Sequence, residues 1–359
     1  MKPIVSVVIP TYNVQDYIGQ ALRSALDQTI QDIELIVVDD ASTDKTVQII
    51  KTIKDPRIQL TISKKNSGPS HSRNVAIQNA QGEWIALLDG DDWWEKNRLE
   101  RMLKMAMLHQ ADIVADDIQN YVEGEKNPWN ETHLGKLKRS FHKWNPSAVD
   151  VVEYDLGPLK PLFRRDYLKQ NGLSYQEEIT YGEDFVLLLE CLLYGANMII
   201  TSEPLYVRRA WANSLTAHRQ RSTECLIQLT QSLLTKLKAK DHEYLLIEKC
   251  PEVIQALENR LKRQTDSYLY HQLTEPFKKG NALQAACQML GLMVRKPRSM
   301  VIMAEKVPAI FDYRVLRHLR RPNEIVDEIM VHGIQDDIER CIEGPTIHLI
   351  DSEVEVQKP

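Results

Sequence analysis

Apolar runs alternate with amphipathic stretches along the first quarter of the chain. Ile4 to Ile9 (IVSVVI) is β-branched and almost wholly apolar, which predicts a strand buried on both faces. Pro10-Thr11-Tyr12-Asn13 breaks it. Residues 15–28 place Tyr17, Ile18, Ala21, Leu22 and Ala25 at helical spacing. Ile33 to Val38 (IELIVV) predicts a second strand ending at Asp39-Asp40, and Asp44 is a candidate N-cap for a helix over 45–54. Ile58 to Ile62 predicts a third strand, 70–80 a helix after the loop Lys64 to Pro69, and Trp84 to Leu88 a fourth strand after Gly82. Strands alternating with helices imply an α/β fold: a mostly parallel sheet covered by helices on both faces.

That layout gives meaning to LLDGDDWWEKN, residues 87–97. In open α/β sheets ligands bind beyond the carboxyl ends of the strands. Asp39 and Asp40 lie beyond strand two, and Asp89, Asp91 and Asp92 beyond strand four. On an extended backbone Asp89 and Asp91 point to the same side. Paired carboxylates beside a second acidic cluster suit a hard divalent cation, Mg²⁺ or Mn²⁺. The competing reading is that these acids cap helices and fill turns, and Asp44 fits that reading best.

Composition narrows the class. The 359 residues are 43% hydrophobic and 26% charged, enough for a sizeable core in one large domain or two. A formal net charge of -5 gives no electrostatic case for nucleic acid as a partner. Five separated cysteines without a CxxC argue against a zinc site or disulfide framework and fit a reducing, cytoplasmic setting. The apolar run at the amino end is too short for a signal sequence, and no segment reaches the ~18 apolar residues of a membrane span. Asn130-Glu131-Thr132 matches a glycosylation sequon by chance in that setting.

Five segments carry a family resemblance: Val5 to Asn13 (VSVVIPTYN), Val37 to Thr46 (VVDDASTDKT), Asn66 to Asn74 (NSGPSHSRN), Gly82 to Trp93 (GEWIALLDGDDW) and Gly182-Glu183-Asp184. In order and spacing they resemble the family 2 glycosyltransferases, over residues 1–215. The resemblance implies the A-type nucleotide-sugar-binding fold. It also implies transfer of a sugar from a nucleoside diphosphate to an acceptor hydroxyl, with inversion and a bound divalent metal. It matches Asp40, with Asp39 beside it, to a contact with the base. It puts Pro10, Thr11 and Tyr12 along the base pocket and Arg73 near the nucleotide. Asp89, Gly90 and Asp91 match the DxD motif, with Asp89 near the ribose and metal and Asp91 on metal and diphosphate. Asp184 matches the general base, and Glu183 is the neighbouring candidate for that role. The expected donor is a UDP-sugar. The expected acceptor is a saccharide, lipid-linked as in bacterial surface polysaccharide synthesis.

The chemistry needs these residue types. A metal offsets the charge gained by the leaving diphosphate. A carboxylate must take the proton of a weakly nucleophilic hydroxyl. A sugar nucleotidyltransferase would carry a Gly-rich basic loop after strand one, where this chain has Pro10-Thr11-Tyr12-Asn13. A dehydrogenase would carry GxGxxG there. A non-catalytic sugar-nucleotide-binding module would tolerate loss of the acids, and all are present. Residues 119–150, with Trp129 and Trp144, lack a clear period and suggest an irregular stretch near the acceptor. Tyr206 to Thr216 offers Arg208 and Arg209, followed by His218, to the diphosphate or metal.

The sequence divides into a catalytic domain over 1–220 and a mainly helical region over 221–359. Leu226, Leu229, Leu233, Leu237, Ile254, Leu257 and Leu261 predict helices that pair within the chain or between two copies as a homodimer. Residues 278–321 hold ten Lys and Arg against Glu305 and Asp312, whereas 322–359 hold ten acids against Arg340 and Lys358. Basic residues interleaved with apolar ones predict peripheral contact with an anionic membrane surface, here the cytoplasmic face of the inner membrane. The competing reading packs the basic helices on the acidic tail or the catalytic domain.

Overall fold

A computed structural model describes residues 2–126, 129–137, 143–211, 219–238 and 251–278. The basic and acidic C-terminal stretches and His218 lie outside the described residues. The chain divides into a compact unit over 1–264 and a second over 265–359. Only the end of one helix is described in the second unit.

The first unit is built on a nine-stranded sheet among the described residues. Its elements are β1 (Val5–Thr11), α1 (Ile18–Leu26), β2 (Ile33–Asp39), α2 (Thr46–Thr52), β3 (Ile58–Ile62), α3 (Pro69–Asn79) and β4 (Trp84–Leu87). Next come β5 (Trp93–Trp94), α4 (Arg98–His109), β6 (Ile113–Val122), β7 (Lys143–Trp144), α5 (Ala148–Glu153) and β8 (Leu162–Arg164). The remainder are α6 (Arg165–Gln170), α7 (Glu183–Leu193), β9 (Met198–Ala210), α8 (Arg219–Lys238) and α9 (Pro251–Lys278). The spatial order is β3-β2-β1-β4-β8-β6-β9-β5, with β7 on β9.

The early half is the parallel sheet that the sequence predicts: β1 pairs in parallel with β2 and β4, and β2 with β3. Beyond β4 the sheet is mixed. β8 runs antiparallel to β4 and β6, while β6 and β9 are parallel. β2 is buried at every position, as a strand covered on both faces must be. Helix α1 turns Ile18, Ala21, Leu22, Ala25 and Leu26 into the core.

Two local expectations change. Pro10 does not end β1, because the strand continues through Thr11 and both residues pair with β2. The Val8 carbonyl accepts from Leu88 N–H at 3.1 Å, so backbone groups of Val8 and Pro10 face the β4 side. There β4 has already ended, and no ladder bond is lost to proline. Helix α2 starts at Thr46, and Asp44 accepts from the Thr46 amide at 2.8 Å while Lys45 holds the cap position.

Helices α8 and α9 pair with each other, with Thr230 donating to Gln264 at 2.9 Å and Lys238 to Glu258 at 2.7 Å. The sequence puts a boundary near residue 220, and α8 with the first part of α9 sits inside the compact unit. No helix among the described residues is long and apolar enough to cross a membrane.

Candidate active site

Parallel pairing of β1, β2 and β4 brings their carboxyl ends to one edge. Thr11 lies opposite Asp39, and its hydroxyl donates to Asp39 Oδ2 at 3.0 Å. Ser42 donates twice more to Asp39, through its amide at 2.9 Å and its hydroxyl at 2.6 Å. Asp39 is fully buried and spends its oxygens on the turn. Asp40 accepts from the amides of Ser67 and Gly68, at 2.9 and 2.7 Å, and so holds the loop before α3 against the end of β2. Tyr12 stands out from this edge, 47% exposed.

Gly90 allows the acidic turn to approach β1. A Cβ there would lie 3.1 Å from Thr11 Cγ2 and 3.2 Å from the Pro10 carbonyl. The three aspartates around it meet three different environments. Asp89 accepts from Arg73 at 2.8 Å on Oδ1 and from Lys160 at 2.8 Å on Oδ2. Burial would raise its carboxyl, but the neighbouring Lys160 and Arg73 outweigh it and hold Asp89 well below the usual carboxylate range. Asp92 is buried and takes the Tyr206 hydroxyl at 2.7 Å and the Arg209 amide at 2.8 Å. Burial, then the charges of Asp91 and Asp89, push its pKa well up.

Asp91, like Asp92, has no cation partner among the described residues, but Asp92 has two neutral donors from other residues and Asp91 has one. Among the described residues no Lys, Arg or His stands within ion-pair distance, and its neutral donor is the Trp211 indole at 2.8 Å. Burial and the nearby Asp89 raise its pKa, so a positive ligand there would relieve both. Its backbone carbonyl is held by Arg209 Nε at 3.0 Å. The Arg209 guanidinium is stacked among Tyr17, Trp93 and Tyr121, at 4.6, 4.6 and 5.5 Å from the ring centres. Arg208 binds Asn120 Oδ1 at 3.1 Å and does not face the acids. Trp129 is 49% exposed with its edge on Tyr121, and Trp144 packs on Tyr154.

Asp184 stands in the first turn of α7 behind the cap residue Gly182, whose φ of +91° suits glycine. Lys160 ties it to the acidic turn, reaching Asp184 Oδ2 at 2.6 Å while it holds Asp89. Tyr175 donates to Asp184 Oδ1 at 3.0 Å, and Arg73 binds Glu183 at 2.7 Å. Burial disfavours the charge on Lys160, yet Asp184 and Asp89 outweigh it and raise its pKa. The structure therefore joins Arg73, Asp89, Glu183 and Asp184 in one ionic network, with Asp91 beside it. Sequence reasoning missed Lys160 and Tyr175. The signal for Lys160 was a lone charge inside the apolar run Leu159 to Phe163.

The acids fit a divalent cation in part. Carboxylate oxygens are hard donors, and Asp91 carries unneutralised charge. No cluster of three or more His, Cys, Asp or Glu side chains among the described residues could hold a metal unaided.

The model of a family described as "Glycosyl transferase family 2" matches residues 6–171. The succinoglycan biosynthesis protein ExoU of Rhizobium meliloti (strain 1021) is 30% identical over 244 residues, 64% of this chain and 69% of that protein. The chain belongs to glycosyltransferase family 2. Within this family, ExoO of the same organism, also a succinoglycan biosynthesis protein, is 34% identical over 211 residues. That alignment spans 57% of this family 2 chain and 60% of ExoO's length. The fold matches Staphylococcus aureus TarS 1-349 in complex with UDP-GlcNAc, at a TM-score of 0.57 and 24% identity, over 71% of this chain and 72% of that one. The A-type glycosyltransferase fold expected from the motifs is thus the fold observed.

Proposed function

We propose that this chain is an inverting, metal-dependent glycosyltransferase that moves a sugar from a nucleoside diphosphate to an acceptor hydroxyl. The observation that carries the reading is the network Arg73–Asp89–Lys160–Asp184, which links the DxD acid to a carboxylate far along the chain. Transfer with inversion needs donor-binding and proton-accepting groups held apart but in register.

In this reading the nucleoside lies across the ends of β1 and β2. Pro10, Thr11 and Tyr12 line it, and Asp39 and Asp40 shape the turn and loop around the base. Arg73 and Asp89 flank the ribose and diphosphate, with Gly90 letting the turn close on β1. Asp91 binds Mg²⁺ or Mn²⁺, and Asp89 lies beside that ion. Such an ion keeps few protein ligands and completes its shell with phosphate oxygens and water. When bound, it offsets the negative charge growing on the leaving diphosphate. Asp184 takes the proton of the acceptor hydroxyl through a carboxylate oxygen, on the face of the sugar opposite the diphosphate.

A UDP-sugar is the favoured donor, supported by the UDP-GlcNAc bound to TarS. A saccharide acceptor of an exopolysaccharide or cell-surface polysaccharide is supported by the role of ExoO and ExoU in succinoglycan biosynthesis. The basic stretch 278–321 supports a lipid-linked acceptor met at the cytoplasmic face of a membrane. The test is a screen of UDP-, GDP- and dTDP-sugars for protection against thermal unfolding, with Mn²⁺ and with EDTA. A true donor at ~100 times its dissociation constant adds about 2.7 kcal/mol. Protection that persists unchanged in EDTA rules out the metal part of the reading, and protection by none of them rules out the donor class.

A further inference from the structure

Asp184 is held by more than its charge requires. One hydrogen-bond donor meets each carboxylate oxygen, Lys160 Nζ at 2.6 Å on Oδ2 and the Tyr175 hydroxyl at 3.0 Å on Oδ1, and Arg73 Nη1 stands 3.7 Å from Oδ1. Both donors are anchored elsewhere. The Tyr175 ring lies 5.2 Å from the Arg73 guanidinium. Its backbone is pinned twice by the Asn74 side chain, its N–H donating to Asn74 Oδ1 at 2.9 Å and its carbonyl accepting from Asn74 Nδ2 at 2.8 Å. The Lys160 carbonyl accepts from Arg98 Nη2 at 2.6 Å, and Arg98 is itself gripped by Asp116 through two bonds of 2.8 and 2.7 Å. At its other end the Lys160 ammonium also holds Asp89 at 2.8 Å.

A carboxylate offers about four lone-pair sites. One donor on each oxygen fixes the plane of the group and leaves the remaining lone pairs pointing in set directions. A proton acceptor whose plane swings loses its in-line approach to the hydroxyl, and a shift of about 1 Å costs up to roughly 10²-fold in rate.

We infer that Lys160 and Tyr175 are positioning residues that lock the Asp184 carboxylate, with Lys160 also setting its separation from Asp89. The inference rests on Asp184 being the proton acceptor. Neither residue needs to touch the substrate. The Tyr175 hydroxyl acts through Asp184 alone, whereas Lys160 acts through both acids.

The deciding experiment is a double-mutant cycle in the full-length protein. It uses the nucleotide sugar giving the largest metal-dependent protection in the screen above. Turnover is followed as release of nucleoside diphosphate at saturating donor with water as the acceptor, the sugar leaving as the free hemiacetal, and donor affinity is measured separately. Tyr175→Phe keeps the ring over Arg73 and removes one hydroxyl. It is expected to lower kcat about 10-fold with donor affinity unchanged within about twofold. In an Asp184→Asn background the same change is expected to cost nothing further, because no proton-accepting carboxylate remains to be positioned. An equal loss in both backgrounds, or a loss of donor affinity with kcat preserved, overturns the role of Tyr175. Lys160→Met is expected to lower both kcat and donor affinity, and Lys160→Arg to restore affinity more than kcat. Equal restoration of both overturns the role assigned to Lys160. If Lys160→Met does not fold, Lys160→Arg against the parent carries that comparison, with a kcat loss at unchanged affinity expected. Unaltered turnover of Asp184→Asn alone defeats the base assignment itself, a result distinct from any Tyr175 outcome.

Discussion

Arg98 offers a measurable test of how the site is supported from below. Its side chain is fully buried, grips Asp116 with two charge-assisted bonds, and donates to the Lys160 carbonyl. Its guanidinium also lies over Trp94 at 4.6 Å and Tyr206 at 5.2 Å. Replacing it in Arg98→Met keeps much of the volume and strands Asp116, which is 0% exposed. Breaking a buried pair by removing one partner costs about 3–5 kcal/mol. The loss should depend on pH. Burial already raises the Asp116 pKa against the pull of Arg98, and without Arg98 it rises further. A carboxyl whose folded pKa exceeds its unfolded value of about 3.9 loses stability as pH climbs between the two, by up to about 1.4 kcal/mol per pH unit. The difference between parent and variant in urea unfolding should therefore be larger at pH 7.5 than at pH 5. Comparing differences cancels groups common to both proteins. A loss under about 1 kcal/mol at pH 7.5, the range of an exposed pair, would refute the argument, as would equal losses at both pH values.

Asp91→Asn should abolish metal-dependent nucleotide binding with the unfolding midpoint unchanged or raised, because a buried repulsion with Asp89 is removed; calorimetric titration with nucleotide and Mn²⁺ checks this. Asp184→Asn should keep donor affinity and lose about 10² to 10⁴ in turnover, seen by measuring binding and saturated rate separately. Gly182→Ala should destabilise by about 1–3 kcal/mol in urea unfolding. The added methyl meets a φ of +91° and stands 2.7 Å from Leu229 Cδ2. Exchanging Lys278, Lys279, Arg295 and Lys296 for glutamine in the full chain should reduce sedimentation with anionic liposomes at low salt; equal sedimentation of both proteins would remove the membrane role.

Strands β1 to β4 were legible because each is a short apolar run with a polar break at its end. β6 was not. Asp116 and Asp117 interrupt its apolar pattern, and only the buried Arg98 from α4 makes Asp116 tolerable inside the sheet. β8 is three residues long and runs antiparallel between β4 and β6, a placement that no local pattern encodes. The acids were readable as a group, but their division of labour was not. Which of Asp89, Asp91 and Asp92 keeps a free charge depends on Arg73, Lys160 and Tyr206, which chain folding alone brings to them. Lys160 in particular has partners on two remote elements, and sequence spacing carries no trace of such a bridge.

Helices α8 and α9 have a bearing on how such proteins can be recombined. Leu226 and Leu229 of α8 crowd Gly182, the residue from which α7 launches Asp184. From α9, Arg260 lies 4.1 Å over the Phe185 ring and pairs with Asp155 at 2.7 Å. The matched family region stops at residue 171, before Gly182, Phe185, Leu226, Leu229 and Arg260. A chimera joined near residue 220 would import the motif-bearing half while discarding the helices that pack on Gly182 and Phe185, on either side of Asp184. Grafts that carry the chain through residue 264 keep that packing intact, so the interchangeable part is larger than the motif-bearing one.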